Sequence, residues 1–236
     1  MSTKLILIRH GQTDWSLQER YCGFTDVGLN EKGRFQARQL FKGLSKETIH
    51  KVYSSNTKRT RQFAEIVCKS MPIEELSGLR EINFGIFEGL RYHEIMNRYP
   101  EIYKKWLDNP CDISIPRGEG LCDLAARVNK ALVKILSNNT DKTIAVFTHA
   151  GPIRVILCDT LKLRLGEIWQ IEVDLASISI IEFGGGRGKI LLLNDTSYLK
   201  AKELQNFIFL LKGLLKKQSS LKWAKDAERS EAYFHG

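Results

Sequence analysis

A chain of 236 residues that is 43% apolar can bury a real core, and it suits one α/β domain of about 200 residues with an appendage. That composition excludes a disordered chain, and no apolar run reaches the ~18 residues of a membrane span, since NFIFLLKGLL is broken by Lys212. The net charge of +9 suits a nucleic-acid binder or an enzyme for anionic substrates alike, but no zinc finger, RNP-like aromatic motif or long basic run favours the first. The cysteines at 22, 68, 111, 122 and 158 are odd in number and form no CxxC pair, which points away from zinc or a disulfide scaffold and towards a reducing cytosol. The start, one Lys4, four apolar residues and then Arg9, does not read as a signal peptide, so a cytoplasmic location is expected.

In chain order, LILI at 5–8 reads as a strand apolar on both faces, the pattern of a parallel sheet covered by helices. Asn30 is placed to cap a helix, EKGRFQARQLFKGL, with Phe35, Leu40, Phe41 and Leu44 as its apolar stripe. KVYSS predicts a strand, TKRTRQFAEIVCKS a helix, and Met71-Pro72-Ile73 a loop. LREINFGIFEG at 79–89 is irregular, and YHEIMNRYPEIYKKWL gives one or two helices broken near Pro100. LCDLAARVNKALVKIL is the clearest amphipathic helix. TIAVFTHAG repeats the opening pattern, an apolar strand ending in His and then Gly, and PIRVILCDTL follows as a helix with Pro152 in its first turn. IWQIEVD, ASISIIEF and KILLLND read as strands, the last two joined by a GGGRG turn. This alternation predicts an α/β fold, a mostly parallel central sheet with helices on both faces, over residues 1–199. Residues 200–236, with eight Lys/Arg against four Asp/Glu, read as a basic amphipathic helical tail whose lysines form a solvated face.

In open α/β sheets, ligands bind at the carboxyl ends of strands. Two strands end on histidine here, at His10-Gly11 and at His149-Ala150-Gly151, and small residues there let the backbone approach a ligand. Arg9 adjoins His10, and Arg59 follows KVYSS. Guanidinium forks and helix N-termini both suit phosphate. Glu81 lies in an irregular segment able to bring a carboxyl group to the same rim. A lone strand-end histidine is more commonly structural, but two in matching positions beside arginines point to a pocket for a dianionic phosphoryl group.

Five motifs occur in order: RHGQTDW at 9–15, GFTDVGLNEKG at 23–33, SSNTKRTRQFA at 54–64, LREINFGIFEG at 79–89 and THAGPIR at 148–154. Together they resemble the histidine phosphatase (phosphoglycerate-mutase-like) superfamily, over roughly residues 3–199. The resemblance implies a phosphoglycerate-mutase-like fold and a metal-independent, cofactor-free phosphomonoesterase working through a phosphohistidine. It implies His10 as nucleophile, Arg9, Arg59 and His149 as holders of the phosphoryl oxygens, and Glu81 as general acid and then base. Gly11, Ser16, Gly23 and Ala150 are implied as further phosphate or substrate contacts. Arg61 rivals Arg59 and Glu88 rivals Glu81; motif alignment favours Arg59, and position in the Leu-x-Glu segment favours Glu81. Arg154 is expected to be a structural helix residue, and His50, His93 and His235 to have no role. Two departures stand out: Ser16 replaces the family's usual Asn, which implies an altered substrate contact there, and Cys22 its common Gln; neither touches the nucleophile.

Compact spacing between the motifs favours hydrolysis over a mutase. RYPEIYKKWLDNP, IPRGEG and the late ASISIIEF…LLLNDTSYL look most like α-ribazole phosphatases, which implies α-ribazole 5'-phosphate or adenosylcobalamin 5'-phosphate as substrate, although the usual Gly-Glu-Ser reads Gly118-Glu119-Gly120. The alternatives are a broad-specificity sugar or phosphoglycerate phosphatase, a phosphoglycerate mutase, and a non-catalytic phospholigand-binding protein, against which the intact His10, Arg59, Glu81 and His149 speak. The expected partner is a small phosphorylated metabolite, with no nucleic acid, and a homodimer is a further possibility.

Overall fold

The computed structural model describes residues 2–44 and 47–199, and the chain up to Thr196 forms one unit. The helical tail expected at 200–236 lies outside the described residues. The elements are β1 (Thr3–Arg9), α1 (Asp14–Leu17), α2 (Glu31–Gly43), β2 (Lys51–Ser54), α3 (Lys58–Cys68), β3 (Ile73–Glu75), α4 (Tyr92–Arg98), α5 (Pro100–Asp108), α6 (Leu121–Ser137), β4 (Thr143–Thr148), α7 (Ala150–Leu161), β5 (Ile178–Gly184) and β6 (Arg187–Asp195).

The strands form one six-stranded sheet in the order β3-β2-β4-β1-β5-β6. β3, β2, β4 and β1 run parallel; β5 is antiparallel to β1, and β6 to β5. Alternation along the strands splits the core into two layers. Leu5, Leu7, Tyr53, Ile144 and Val146 pack with Leu124, Val128 and Ile135 of α6 and Ile153, Ile156 and Leu157 of α7. Ile6, Ile8, Val52 and Phe147 occupy the alternate positions and are also buried. On that side Phe147 meets Phe63 of α3, with ring centroids 6.3 Å apart. Helices therefore cover both faces, which is why LILI carries no polar alternation: Leu5 to Ile8 are all fully buried, each stabilising the fold by about 1.5–3 kcal/mol.

Local signals set the element ends. Asn30 accepts from the Gly33 amide at 3.0 Å and starts α2. Pro100 occupies the first turn of α5 and splits the predicted long helix in two. Gly185 and Gly186, both at positive φ, make the hairpin turn, narrower than the expected five residues.

Three expectations change. Ile73, expected in a loop at Met71-Pro72-Ile73, instead begins a short edge strand, Ile73–Glu75, beside β2; with one apolar residue in three the stretch carries too little pattern to predict it. Phe41 on α2 is exposed and Phe35 only half-buried, because Gln36 fills part of the inner face and accepts from the Gln12 amide at 2.8 Å. IWQIEVD is no strand. It forms a 3-10 turn over Leu165–Gln170 and then an extended run whose carbonyls serve arginines: Ile171 accepts from Arg154 Nε at 2.8 Å and Val173 from Arg9 Nη1 at 2.6 Å. Peptide groups committed to side chains leave no ladder to join.

Candidate active site

β1 and β4 are neighbours in parallel register, Arg9 opposite Thr148. The next residue on each strand is therefore a histidine, and the two rings lie 5.1 Å apart between centroids at a 66° interplanar angle. His10 is buried, and its Nδ1 lies 2.8 Å from the Gly11 carbonyl. A carbonyl only accepts, so Nδ1 carries the proton and the lone pair of the neutral ring sits on Nε2. Burial first, then the charges of Arg59 and Arg9, push its pKa well below 6.5. The imidazole is held neutral.

His149 has the opposite tautomer. Arg59 Nε donates to its Nδ1 at 3.3 Å, so Nε2 carries the proton and reaches Ser55 Oγ at 3.0 Å. Burial, then Arg59, depresses its pKa well below 6.5. Arg59 is itself fully buried and donates also to the carbonyls of Thr25 at 3.0 Å, Cys22 at 3.3 Å and Gly23 at 2.7 Å. The other side of this loop is held by Glu88, which accepts from the Gly23 and Phe24 amides, Thr25 Oγ1 and the Phe84 amide. Glu88 is thus occupied away from the histidines, which separates it from its rival Glu81. Arg61 sits at the surface, 3.6 Å from Glu65 and 3.7 Å from Glu75.

The Glu81 carboxylate is buried against the first turn of α7. It accepts from the Ile82 amide at 2.9 Å and from the Gly151 amide at 3.1 and 3.2 Å. Arg9, with a side chain running to Val173, has its pKa lowered to about 10 by burial, partly offset by Glu81.

A cleft of about 630 Å³ opens over these groups. Of the expected residues, Arg9, His10, Ser16, Glu81 and Ala150 line it, as does Cys22, whose thiol is pushed up to about 11 by burial. Gly11, Gly23, Arg59 and His149 stand behind that surface rather than on it. Gly11 is required by packing: a Cβ there would fall 2.7 Å from the Phe63 ring. A Cβ on Gly23 would overlap the Ile82 carbonyl. Ser16 is engaged with Thr13 in a reciprocal cap of α1, its Oγ accepting from the Thr13 amide at 2.8 Å.

The cleft also uses residues that sequence reasoning passed over. Arg154, expected to be structural, lines it. The signal was present: Arg154 lies four positions after Ala150 on α7, hence on the same helix face. Glu19, Arg20, Tyr21, Phe84 and Asp174 complete the rim; they come from loops and a 3-10 flank whose convergence no local pattern announces. His50 accepts from the Thr143 amide, far from the cleft in the β2–β4 register. Among the described residues no group of three or more His, Cys, Asp or Glu is placed to hold a metal ion, and no helix is long and apolar enough to cross a membrane.

Comparison with known proteins identifies the family. The family profile of the histidine phosphatase superfamily (branch 1) matches residues 5–196. Phosphoserine phosphatase 1 of Hydrogenobacter thermophilus is 34% identical over 198 residues, covering 83% of this chain and 94% of that one. The structure of Bacillus stearothermophilus YhfR superposes with a TM-score of 0.79 at 31% identity, over 83% of this chain and 98% of that one. The α-ribazole phosphatase of Shigella flexneri superposes with a TM-score of 0.75 at 24% identity, over 81% and 96%, a likeness that speaks to the fold. Paired strand-end histidines, the five motifs and a match over most of the chain lead to one conclusion: the protein is a phosphatase and belongs to the histidine phosphatase superfamily, branch 1.

Proposed function

We propose that the protein hydrolyses phosphate monoesters of small metabolites through a phosphohistidine on His10. The observation that carries this reading is the tautomer of His10: the bond from Nδ1 to the Gly11 carbonyl leaves the nucleophilic lone pair on Nε2, in a ring that lines the cleft. Nε2 attacks phosphorus, the P–O ester bond breaks, and the departing alkoxide takes a proton from Glu81. Water then gives a proton to Glu81 and attacks phosphorus, the P–N bond breaks, and inorganic phosphate leaves with His10 neutral again. Arg9 on the cleft wall, with buried Arg59 behind it, supplies the positive charge that stabilises the phosphoryl oxygens.

For the alcohol half of the ester, we propose a small amino- or hydroxy-acid such as serine, which makes phosphoserine the substrate. Its support is the mixed charge of the rim, Arg20 and Arg154 with Glu19 and Asp174, which complements a zwitterion, together with the 34% relationship to a phosphoserine phosphatase. A second reading, α-ribazole 5'-phosphate or its cobalamin-bound form, is favoured by Tyr21 and Phe84, which give the cleft an aromatic wall for a flat base.

The test is phosphate release in EDTA from phosphoserine, α-ribazole 5'-phosphate, 3-phosphoglycerate and p-nitrophenyl phosphate, with His10→Ala alongside. Selective turnover of phosphoserine, abolished in the variant, supports the first reading, and selectivity for the ribazole ester the second. No turnover of any ester supports a phospholigand-binding protein instead.

A further inference from the structure

Glu81 sits where the chain has almost no regular structure, between a 3-10 turn over Ser77–Leu79 and another over Gly85–Phe87. Such a segment cannot fix its own backbone, and its carbonyls must find partners elsewhere. They find them in side chains. The four consecutive carbonyls from Gly78 to Glu81 are all taken. Arg127 Nη1 donates to Gly78 at 3.1 Å and to Arg80 at 2.6 Å, Arg127 Nη2 to Glu81 at 2.8 Å, and Thr148 Oγ1 to Leu79 at 2.6 Å.

The remaining donors of Arg127 go to one carboxylate, Nε to Glu119 Oε1 and Nη2 to Oε2, both at 2.8 Å. All five N–H groups of the guanidinium are thereby used. Glu119 closes the ring from the other side: its Oε2 accepts from the Asn83 amide at 2.9 Å, and its own amide donates to the Asn83 carbonyl at 3.0 Å. The residues flanking Glu81 are thus tied on both sides to a single ion pair. Its arginine stands on α6, whose Leu124 and Val128 are buried in the core.

We propose that Arg127, with Glu119 as its counter-ion, is a positioning residue that sets the carboxyl of Glu81 against the departing oxygen; this rests on Glu81 being the general acid. The guanidinium touches neither cleft nor ester, because neither residue lines the cleft. It acts through the Glu81 carbonyl, while the Gly151 amide holds the carboxylate end. A planar fork can span three carbonyls and a carboxylate together, which a point-charge ammonium cannot.

A positioning role predicts a dependence on the leaving group. Phenyl phosphate and p-nitrophenyl phosphate have similar shapes, but phenolate is the poorer leaving group and needs the proton more. Both esters are assayed with the full chain as wild type, Arg127→Lys, Glu119→Gln and Glu81→Gln, with thermal melting of each. The expected result is that Arg127→Lys loses about 30-fold or more in kcat on phenyl phosphate but less than about threefold on p-nitrophenyl phosphate, following Glu81→Gln. Glu119→Gln keeps an acceptor for Asn83 and folds more easily; it shows the same selectivity, more weakly. Parallel loss on both esters, or no loss in either positioning variant, overturns the proposal. Equal loss on both esters in Glu81→Gln overturns the general-acid reading, and the proposal falls with it.

Discussion

Gly151 and the carboxylate of Glu81 share one space: a Cβ on Gly151 would overlap Glu81 Oε1, and the Gly151 amide donates to both carboxylate oxygens. The glycine of THAG is therefore a seat for the proposed acid, beyond any role in admitting phosphate. In an ordinary helix, alanine would be more stable than glycine by about 0.5–1 kcal/mol. Here Gly151→Ala is expected to leave the melting temperature nearly unchanged while hydrolysis of alkyl phosphates falls about 100-fold. Melting curves and steady-state kinetics on one preparation check both halves.

Glu88 carries a different prediction from Glu81. It accepts from three amides and a hydroxyl, and so fixes the 22–25 loop whose carbonyls hold Arg59. Glu88→Ala leaves those donors without their charged acceptor and should cost about 3 kcal/mol of stability. Turnover should fall on every ester alike, because the Arg59–His149 support moves as a unit. Denaturant unfolding beside an ester panel distinguishes this from Glu81→Gln, for which stability is retained.

Burial and the neighbouring arginines hold His10 and His149 neutral in the folded state, with both pKa values well below 6.5. In the unfolded chain each titrates near 6.5. Below that pH the unfolded state binds protons that the folded state refuses, so stability is full above about pH 6.5 and declines as pH falls. The expected slope approaches about 1.4 kcal/mol per pH unit for each histidine. Urea midpoints between pH 7.5 and 5.5 (about two units around the histidine pKa) should drop, and His149→Gln should shallow the decline.

The repeated pattern of apolar strand, His and Gly made the meeting of His10 and His149 readable from the residues. LILI and TIAVFT are buried strands, and parallel pairing brings the residues after them together. The Asn30 cap and the Pro100 break were readable because both act within one turn. What escaped depends on distant partners. The alternation of Ile171 and Val173 with Glu172 and Asp174 mimics a strand, yet Arg154 and Arg9 take the carbonyls. Nothing near Glu88 indicates that it holds a loop more than sixty residues earlier. The tight packing about Gly23 and Gly11 likewise depends on distant neighbours, Ile82 and Phe63, that sequence position alone does not reveal.

Arg154 links the cleft wall to Trp169, with its guanidinium carbon 5.8 Å from that ring, and to the Ile171 carbonyl. If its charge receives a substrate carboxylate, Arg154→Met raises KM for phosphoserine about tenfold, the loss of one charge-assisted contact. The KM for p-nitrophenyl phosphate, which has no carboxylate, should change little. Equal changes in both would place Arg154 in cleft structure alone.

In the proposed reaction the phosphoryl group passes through Nε2 of His10. This is tested most directly by mixing enzyme with excess substrate, quenching within one turnover in alkali, and mapping the modified peptide by mass spectrometry. One phosphoryl group is expected on His10, formed at least as fast as turnover and absent in His10→Ala, which also fails to release phosphate. Phosphate release by His10→Ala at the wild-type rate, or a phosphoryl group trapped on another residue, would contradict it.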